Sequence, residues 1–310
     1  MADVYRARDT ELCRDVAIKV FRQDDGTVAE LTRREREINI LSGMTHPGLV
    51  GVHDAGTLVH DGQPRRYLVM ELVAGRTLAN RLARGPMKPR QVADLGAQLA
   101  DALSYVHGRS VVHRDIKPEN ILLTEVPTLG YTLVAKLADF GVAQFVDGSR
   151  ITGDNAVMGT AAYISPEQAR ADEIGPPSDV YSLGLVLLEA LRGEREYTGT
   201  PIEAALARLH RPPAIPDELP EEWRALLAAM TDNDPTMRPT AHDVAAIMRD
   251  IIQAMVRDGR GRRGHAQGFR HAAGARPAGI RAAALASSML GGAVVAVIAV
   301  VGAIAGTSNP

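Results

Sequence analysis

The residues best suited to chemistry lie in two short segments of this 310-residue chain, VVHRDIKPENILL (111–123) and LADFGVA (137–143). Each segment places carboxylate or amide side chains near a predicted strand-to-loop transition. These side chains are Asp115, Asn120 and Asp139. Such hard oxygen donors suit Mg²⁺, which prefers oxygen ligands and usually shares them with the phosphate groups of a substrate. The pattern therefore indicates a site where a metal ion meets phosphate.

Two lysines could supply the positive charge that such a site needs. Lys117 follows Asp115 by two residues and could steady a transferring phosphoryl group. Lys19 lies in the apolar segment VAIK, which predicts a strand, and a lysine in such surroundings normally needs an anionic partner or ligand. Both lysines are therefore candidates for contact with phosphate.

The elements that must position these residues change in character along the chain. Residues 1–73 are rich in predicted strands, including the buried pattern RRYLVMELV, and carry one predicted helix at residues 27–44. From residue 77 onward, long stretches with helical apolar periodicity follow, such as QVADLGAQLADALSYVHGR and SDVYSLGLVLLEALRG. We therefore expect an α+β fold with a strand-rich N-terminal part and a helical C-terminal part.

Composition limits what kind of protein this is. Hydrophobic residues make up 45% and charged residues 23% of the chain, as in folded proteins. The single cysteine, Cys13, excludes an intrachain disulfide framework and suits a reducing compartment. The first residues are charged and strand-like, so we expect no secretory signal peptide.

The C-terminal part predicts attachment to a membrane. Residues 254–281 are rich in Gly, Ala and Arg without apolar periodicity, which predicts a basic linker. Residues 282–306 carry no charge and exceed the ~20 apolar residues that span a bilayer, so we expect a transmembrane helix rather than a buried core helix. The arginine-rich flank should stay cytoplasmic, which leaves residues 307–310 as a short external tail.

The linker and the span each allow a second interpretation. The linker arginines could bind nucleic acid, but their position beside the span favours a juxtamembrane role, and we expect no nucleic acid partner. Small residues repeat at four-residue spacing within the span, which would allow close helix approach and a homodimer. Because Ala and Gly occur throughout the span, the same spacing also fits a helix with no partner.

Taken together, the motifs VAIK, HRDIKPEN, DFG and SPE resemble the eukaryotic-type (Hanks-type) protein kinase family, and in particular the bacterial membrane-anchored Ser/Thr kinases. The resemblance covers residues 1–253, which would form the kinase domain. It implies a bilobal α+β fold, with a β-rich N-lobe that lacks its first strand and a helical C-lobe. It also implies transfer of the ATP γ-phosphoryl group, with Mg²⁺ or Mn²⁺, to Ser or Thr hydroxyls of protein substrates.

The resemblance assigns a role to each of the residues introduced above. Lys19 would contact the α- and β-phosphates of ATP. Asp115 would act as the catalytic base, and Lys117 beside it is typical of Ser/Thr-type catalytic loops. Asn120 and Asp139 would bind the metal ions.

The partner of Lys19 on the predicted helix has two candidates, Glu35 and Glu37. Residues i and i+2 point about 200° apart on a helix, so only one of the two can face the lysine. Related kinases place this glutamate nine residues before the histidine of an HP turn, which is His46 here. We therefore choose Glu37.

Further residues resemble those that bind adenine in the family. Met70 corresponds to the gatekeeper, and Glu71 and Val73 would present backbone groups to the adenine ring. Three residues would form the apolar faces above and below the ring: Val4, Ala17 and Leu122. For these three residues, ordinary core packing is the alternative.

Four residues resemble parts of the kinase scaffold. Asp179 corresponds to the aspartate that holds the catalytic-loop backbone, and Arg238 to the arginine that pairs with Glu167 of the SPE motif. Thr160, in the segment GTAAYISPE, would hydrogen-bond towards the catalytic aspartate and lysine. That segment forms a platform for protein substrates in the family, which argues against a small-molecule phosphotransferase.

The resemblance also implies an activation loop at residues 139–167. Bacterial relatives often carry two threonines separated by one residue upstream of the GT pair, and these positions fall on Thr152 and Asp154. We expect activating autophosphorylation at Thr152, with Ser149 as the second candidate and Asp154 supplying part of the charge. The alternative is that all three are ordinary solvated loop residues.

The family covers the ATP phosphates with a loop of the type G-x-G-x-x-G-x-V, whose closing valine corresponds to Val4. Met1 then lies within this loop. Either the start has been assigned too late, or the chain is a membrane-tethered pseudokinase or nucleotide-binding regulatory module with little turnover. Because the expected phosphate, base and metal residues are all retained, we favour the first explanation, and with it an active kinase.

Overall fold

The computed structural model describes residues 2–21, 43–60, 62–126, 132–139 and 160–267. The chain divides into two compact units, Met1–Arg263 and Gly264–Pro310, and almost all of the described residues belong to the first. The predicted helix at residues 27–44 lies almost entirely outside the described residues, and the predicted span at 282–306 lies wholly outside them.

A four-stranded antiparallel sheet forms the N-terminal part of the first unit. Its strands are arranged in the order β1-β2-β4-β3. Their bounds are Ala2–Asp9 (β1), Arg14–Phe21 (β2), Val52–His60 (β3) and Gln63–Glu71 (β4). The β-branched and aromatic residues of these segments favour strands, as the sequence predicted.

A smaller sheet carries the two segments that hold the candidate chemistry. It has the order β5-β6-β7, with bounds Arg76–Thr77 (β5), Ile121–Val126 (β6) and Thr132–Leu137 (β7). A parallel bridge joins Leu137, at the end of β7, to Leu49. Within this sheet, β6 begins directly after Asn120, and β7 ends two residues before Asp139.

Helices make up most of the described C-terminal part. Their bounds are Leu78–Leu82 (α1), Pro89–His107 (α2), Pro166–Arg170 (α3), Pro176–Arg192 (α4), Pro201–His210 (α5), Glu221–Met230 (α6) and Ala241–Gln267 (α7). Short 3₁₀ turns occur at Pro118–Asn120, Thr160–Ala162 and Pro235–Met237. Capping boxes begin α3 at Ser165 and α5 at Thr200, where the hydroxyl accepts a backbone N–H of the first turn.

Helix α4 lies at the centre of the core. Every residue from Ser178 to Ala190 is buried, which fits a helix that is apolar on nearly all sides. Helices α2 and α7 approach each other closely at Gly96, where an added Cβ would lie 3.0 Å from the terminal methyl of Met248. A rigid helical core of this kind can hold polar groups in fixed positions.

Helix α7 extends beyond the domain boundary that the sequence predicted. We expected a linker from residue 254, whereas the structure continues the helix to Gln267. The Ala, Met, Arg and Gln residues of this stretch are good helix formers, which offsets its glycines. No helix in the described part of the chain is long and apolar enough to cross a bilayer.

A buried ion pair connects the start of α3 with the 3₁₀ turn before α7. Arg238 donates from Nη1 to Oε1 of Glu167 at 2.7 Å and from Nη2 to Oε2 at 2.9 Å. Ser178 donates to Oε1 of the same carboxylate at 2.6 Å. Burial by itself would raise the pKa of Glu167, but the hydrogen bonds from Arg238 and Ser178 outweigh it and lower the pKa from 4.5 to about 2.

We predict that this pair makes the fold sensitive to acid. A carboxyl group with a lowered pKa stabilises the folded state above its unfolded pKa, and that contribution is lost as the pH falls through the folded pKa. The wild type should therefore lose roughly 3 kcal/mol from Glu167 between about pH 4.5 and 2. Glu167→Gln should lack this contribution to the free energy of unfolding already at pH 7. Urea unfolding of both proteins across this range measures the difference, and a gap in free energy that does not narrow with acid would contradict the assignment.

Candidate active site

The segment at residues 111–117, which contains Asp115 and which we name the candidate catalytic loop, is held by a buried carboxylate on α4. Asp179 is 1% exposed, and its two oxygens accept the backbone N–H groups of His113 at 2.8 Å and Arg114 at 2.7 Å. His107, at the end of α2, contacts Oδ2 of the same carboxylate through Nε2 at 2.8 Å. Arg114 has a φ of 67°, a conformation that non-glycine residues rarely adopt. Asp179 therefore fixes a strained backbone directly before Asp115.

His113 connects this loop to the end of β7. The ring is fully buried, and its Nε2 lies 3.1 Å from the carbonyl oxygen of Ala138. Burial lowers the pKa of His113, which favours the neutral imidazole. Asn120 accepts the N–H of Ala138 with its backbone carbonyl at 2.9 Å. The two candidate segments of the sequence are thus joined by their backbones just before Asp139.

Asp115, Lys117 and Asn120 form a compact polar group. Lys117 Nζ lies 2.8 Å from Oδ2 of Asp115, and Asn120 Nδ2 donates to the same oxygen at 2.9 Å and to the Asp115 carbonyl at 2.8 Å. The 3₁₀ turn at Pro118–Asn120 brings the amide back towards the aspartate. Oδ1 of Asp115 is buried and has no hydrogen-bond partner among the described residues.

Lys19 and Asp139 meet across the gap between the two sheets. Nζ of Lys19 lies 2.7 Å from Oδ1 of Asp139, and the two side chains are 14% and 39% exposed. Asp139 has a φ of 56°, so its backbone is held in the left-handed region. The lysine therefore has the anionic partner that its apolar strand required.

A pocket opens beside this ion pair, between the large sheet and the end of β7. Its lining includes Lys19, Asp139, Met70, Leu68 and Leu137. Most of its other lining residues are apolar, so the pocket offers one charged edge in apolar surroundings. This combination is typical of small-molecule sites.

The strand register places four of the predicted nucleotide-site residues on one face of the large sheet. Val4 lies opposite Lys19, and Ala17 lies opposite Met70. Residues directly opposite each other on antiparallel strands share a face, and so do residues two apart on one strand. Ala17 is 9% exposed whereas Val4 is 59% exposed.

The other predicted adenine contacts lie near the junction of the two sheets. Leu122 is half-buried on β6, opposite Thr77 of β5, and Val73 is half-buried after the end of β4. Glu71 ends β4, and its side chain forms an ion pair with Lys136 of β7 at 2.9 Å. From the sequence, a role was assigned only to the backbone of Glu71, so this side-chain ion pair was not predicted.

Several predicted residues lie outside the described part of the chain. These are the helix candidates Glu35 and Glu37 and the activation-loop residues Ser149, Thr152 and Asp154. Thr160 begins the 3₁₀ turn at Thr160–Ala162, and only its backbone is described. The roles of these residues therefore stay predictions.

Three further residues position the site and were not identified from the sequence. His107 supports Asp179, Gln168 donates to the carbonyl of Arg114 at 3.0 Å, and Lys136 pairs with Glu71. Lys136 could have been found, because it is a lysine within an apolar strand like Lys19. Nothing in the local pattern distinguishes the other two from ordinary helix residues.

The residues present fit a nucleotide with a divalent cation. Asn120 and Asp139 supply oxygen donors, and the Asn120 carbonyl accepts the N–H of Ala138, the residue before Asp139. Lys19 and Lys117 supply positive charge. No cluster of three or more His, Cys, Asp or Glu side chains that could hold a metal ion occurs among the described residues. A cation here would complete its coordination with phosphate oxygens, as Mg²⁺ usually does.

Comparison of the sequence with known proteins assigns most of the chain to a family. Residues 1–248 match the protein kinase domain family. The chain is 39% identical over 257 residues to serine/threonine-protein kinase PknA of Mycobacterium tuberculosis (strain ATCC 25618 / H37Rv), with 80% of this chain and 58% of that protein covered. It is 37% identical over 256 residues to serine/threonine-protein kinase PknB of Mycobacterium bovis (strain ATCC BAA-935 / AF2122/97), with 79% and 40% covered.

The chain therefore belongs to the protein kinase domain family, and it is similar to bacterial Hanks-type kinases. The predicted α+β kinase fold, with a strand-rich part and a helical part, is confirmed. The aligned region spans 58% of the PknA relative and 40% of the PknB relative.

Proposed function

We propose that the chain is a serine/threonine protein kinase that transfers the γ-phosphoryl group of ATP to hydroxyl groups of proteins. The observation that carries this proposal is the state of the Asp115 carboxylate. Lys117 and Asn120 hold its Oδ2, whereas its Oδ1 is buried without a partner among the residues that the structure describes. A buried oxygen of this kind is costly unless a ligand satisfies it, and a substrate hydroxyl is a suitable donor.

Each residue of the site has its own role in the proposed reaction. Asp115 orients the substrate hydroxyl and accepts its proton as the oxygen attacks. Lys117, which lies beside this carboxylate, places a positive charge where the transferred group passes. Lys19 holds the nucleotide phosphates from a rigid strand. Mg²⁺, when bound, offsets the negative charge of the phosphates, and Asn120 and Asp139 would hold it.

Two observations support protein Ser/Thr hydroxyls as the acceptor. The similar bacterial proteins PknA and PknB are named serine/threonine-protein kinases. In this chain, the segment after the 3₁₀ turn at Thr160–Ala162 is fixed to the catalytic loop, since Gln168 of α3 donates to the Arg114 carbonyl. A surface anchored beside the base suits a peptide substrate better than a small molecule.

A nucleotide-binding module with little turnover is the second candidate. It is favoured by the direct contact of Lys19 with Asp139, because the groups expected to hold phosphate and metal neutralise each other there. Binding of nucleotide and metal would have to separate this pair. Measurements of binding and of transfer on the same protein distinguish the two functions.

We predict that Asp115→Asn abolishes phosphate transfer while the fold and ATP binding persist. The amide keeps the shape of the side chain but cannot accept the proton, so the rate should fall by roughly 10²–10⁴-fold. Transfer of labelled γ-phosphate to a generic basic protein with Mg²⁺ or Mn²⁺ measures the rate, and a thermal shift with ATP measures binding. Asp217→Asn, at a side chain that is 99% exposed, is the matched control.

Wild-type turnover in Asp115→Asn would contradict the assignment of the base. A wild type that binds ATP but transfers nothing would support the regulatory module instead.

We also propose that the active protein phosphorylates its own activation loop at Thr152, with Ser149 as the second candidate. The same reactions provide this test, since the modification should occur in the wild type and be missing from Asp115→Asn.

We further propose that residues 282–306 anchor the protein in the cell membrane as a single span, with the kinase domain in the cytoplasm. The length and lack of charge of this segment support the proposal. We predict that the full chain sediments with membranes and needs detergent for release, whereas a chain ending at residue 281 remains in the supernatant. Recovery of the full chain without detergent would contradict the anchor.

A homodimer through the same span is tested by crosslinking the full chain in membranes.

A further inference from the structure

Helix α5 carries a fully buried arginine, Arg208. Its guanidinium lies 4.7 Å from the ring centroid of Tyr197, and its Nε donates to the Ala204 carbonyl at 3.1 Å. No described carboxylate forms an ion pair with it, and burial lowers the pKa of Arg208. A buried cation without an anionic partner is costly, so its remaining donors need strong acceptors.

The remaining donors bind the backbone of one short segment, residues 160–165, which we name the platform. Nη1 donates to the carbonyl of Ile164, and Nη2 donates to the carbonyl of Ala161. Between these two contacts, Ser182 of α4 donates to the carbonyl of Tyr163 at 2.8 Å. Two helices therefore hold the platform backbone from below through charged and neutral donors.

The platform is connected to the catalytic loop at its other end. Ser165 caps α3, and its N–H donates to the side chain of Gln168 at 2.9 Å. Gln168 in turn donates to the carbonyl of Arg114 at 3.0 Å, which is the residue before Asp115. The platform is therefore held at two places, by Arg208 along its backbone and by Gln168 where it adjoins the loop that carries Asp115.

We propose that Arg208 is a positioning residue for the protein substrate. It touches neither ATP nor the reacting atoms, but it fixes the backbone against which the peptide around the accepting hydroxyl would lie. This inference rests on the proposed kinase function and adds a residue to it. Loss of the guanidinium should weaken peptide binding selectively, because the nucleotide contacts on the large sheet and β7 do not depend on α5.

The neighbouring Arg211 provides a matched control. Its guanidinium lies over the same Tyr197 ring at 5.0 Å, but it forms an ion pair with Glu196 and is about half exposed. Arg208→Met and Arg211→Met therefore make the same chemical change beside one ring. Only the first removes donors from the platform.

The test compares peptide phosphorylation, ATP hydrolysis without peptide and backbone amide hydrogen exchange in residues 160–168. In Arg208→Met we expect the KM for peptide to rise roughly tenfold or more, since two charge-assisted hydrogen bonds are lost. The KM for ATP and the hydrolysis rate per folded molecule should change by less than about twofold, within the ordinary scatter of such comparisons. Exchange in the platform should become faster. Arg211→Met should leave all of these values near those of the wild type.

A purely structural role gives a different result. All rates would then fall together with the folded fraction, the peptide KM would not change, and the inference would be overturned.

If Arg208→Met does not fold, the second variant is Arg208→Lys, which keeps the positive charge but has fewer N–H donors. It should show an intermediate rise in the KM for peptide, and a KM equal to that of the wild type would overturn the inference. A wild type without any phosphate transfer would overturn the kinase proposal, whereas unchanged platform exchange in either folded Arg208 variant would overturn this inference.

Discussion

The buried carboxylate of Asp179 is the interaction on which the rest of the site depends. It lies on the most buried helix of the core and accepts two consecutive backbone N–H groups, those of His113 and Arg114. A carboxylate in such surroundings is very costly without donors, and these N–H groups would be equally costly without an acceptor. These two hydrogen bonds offset the strain of the positive φ at Arg114. They also fix the backbone conformation directly before Asp115.

From this anchor the geometry extends to both sheets. The ring of His113 meets the carbonyl of Ala138, which fixes the end of β7 and the backbone of Asp139 after it. Asp139 then meets Lys19 on the large sheet. A second contact between the sheets runs through Lys136, which donates to Glu71 and to the Leu49 carbonyl. Lys19 and Asp115 are thus held in one frame by these polar contacts.

Much of this architecture could be predicted from the sequence, because periodicity and turn residues determine strands and helices locally. The segments around Asp115 and Asp139 were identified from residue types, since carboxylates and an amide near strand-to-loop transitions suit Mg²⁺ and phosphate. The role of each residue came from the resemblance to the kinase family. Arg208 could not be identified in this way. An arginine in AALARLH is normally a solvated helix residue, and only the tertiary fold places backbone carbonyls above it. The helical continuation beyond residue 253 was also missed, because glycines and arginines without apolar periodicity are typical of linkers.

The most direct test of this account is Asp179→Asn, measured by amide hydrogen exchange and by phosphate transfer. The amide retains the size of the carboxylate but presents only one acceptor oxygen, so one of the two N–H groups, His113 or Arg114, loses its partner. We expect faster exchange at these two amides and a fall in kcat of roughly 100-fold, as for small displacements of a catalytic group, while the protein remains folded. Unchanged exchange at both amides together with wild-type kcat would contradict the claim that this carboxylate holds the catalytic loop.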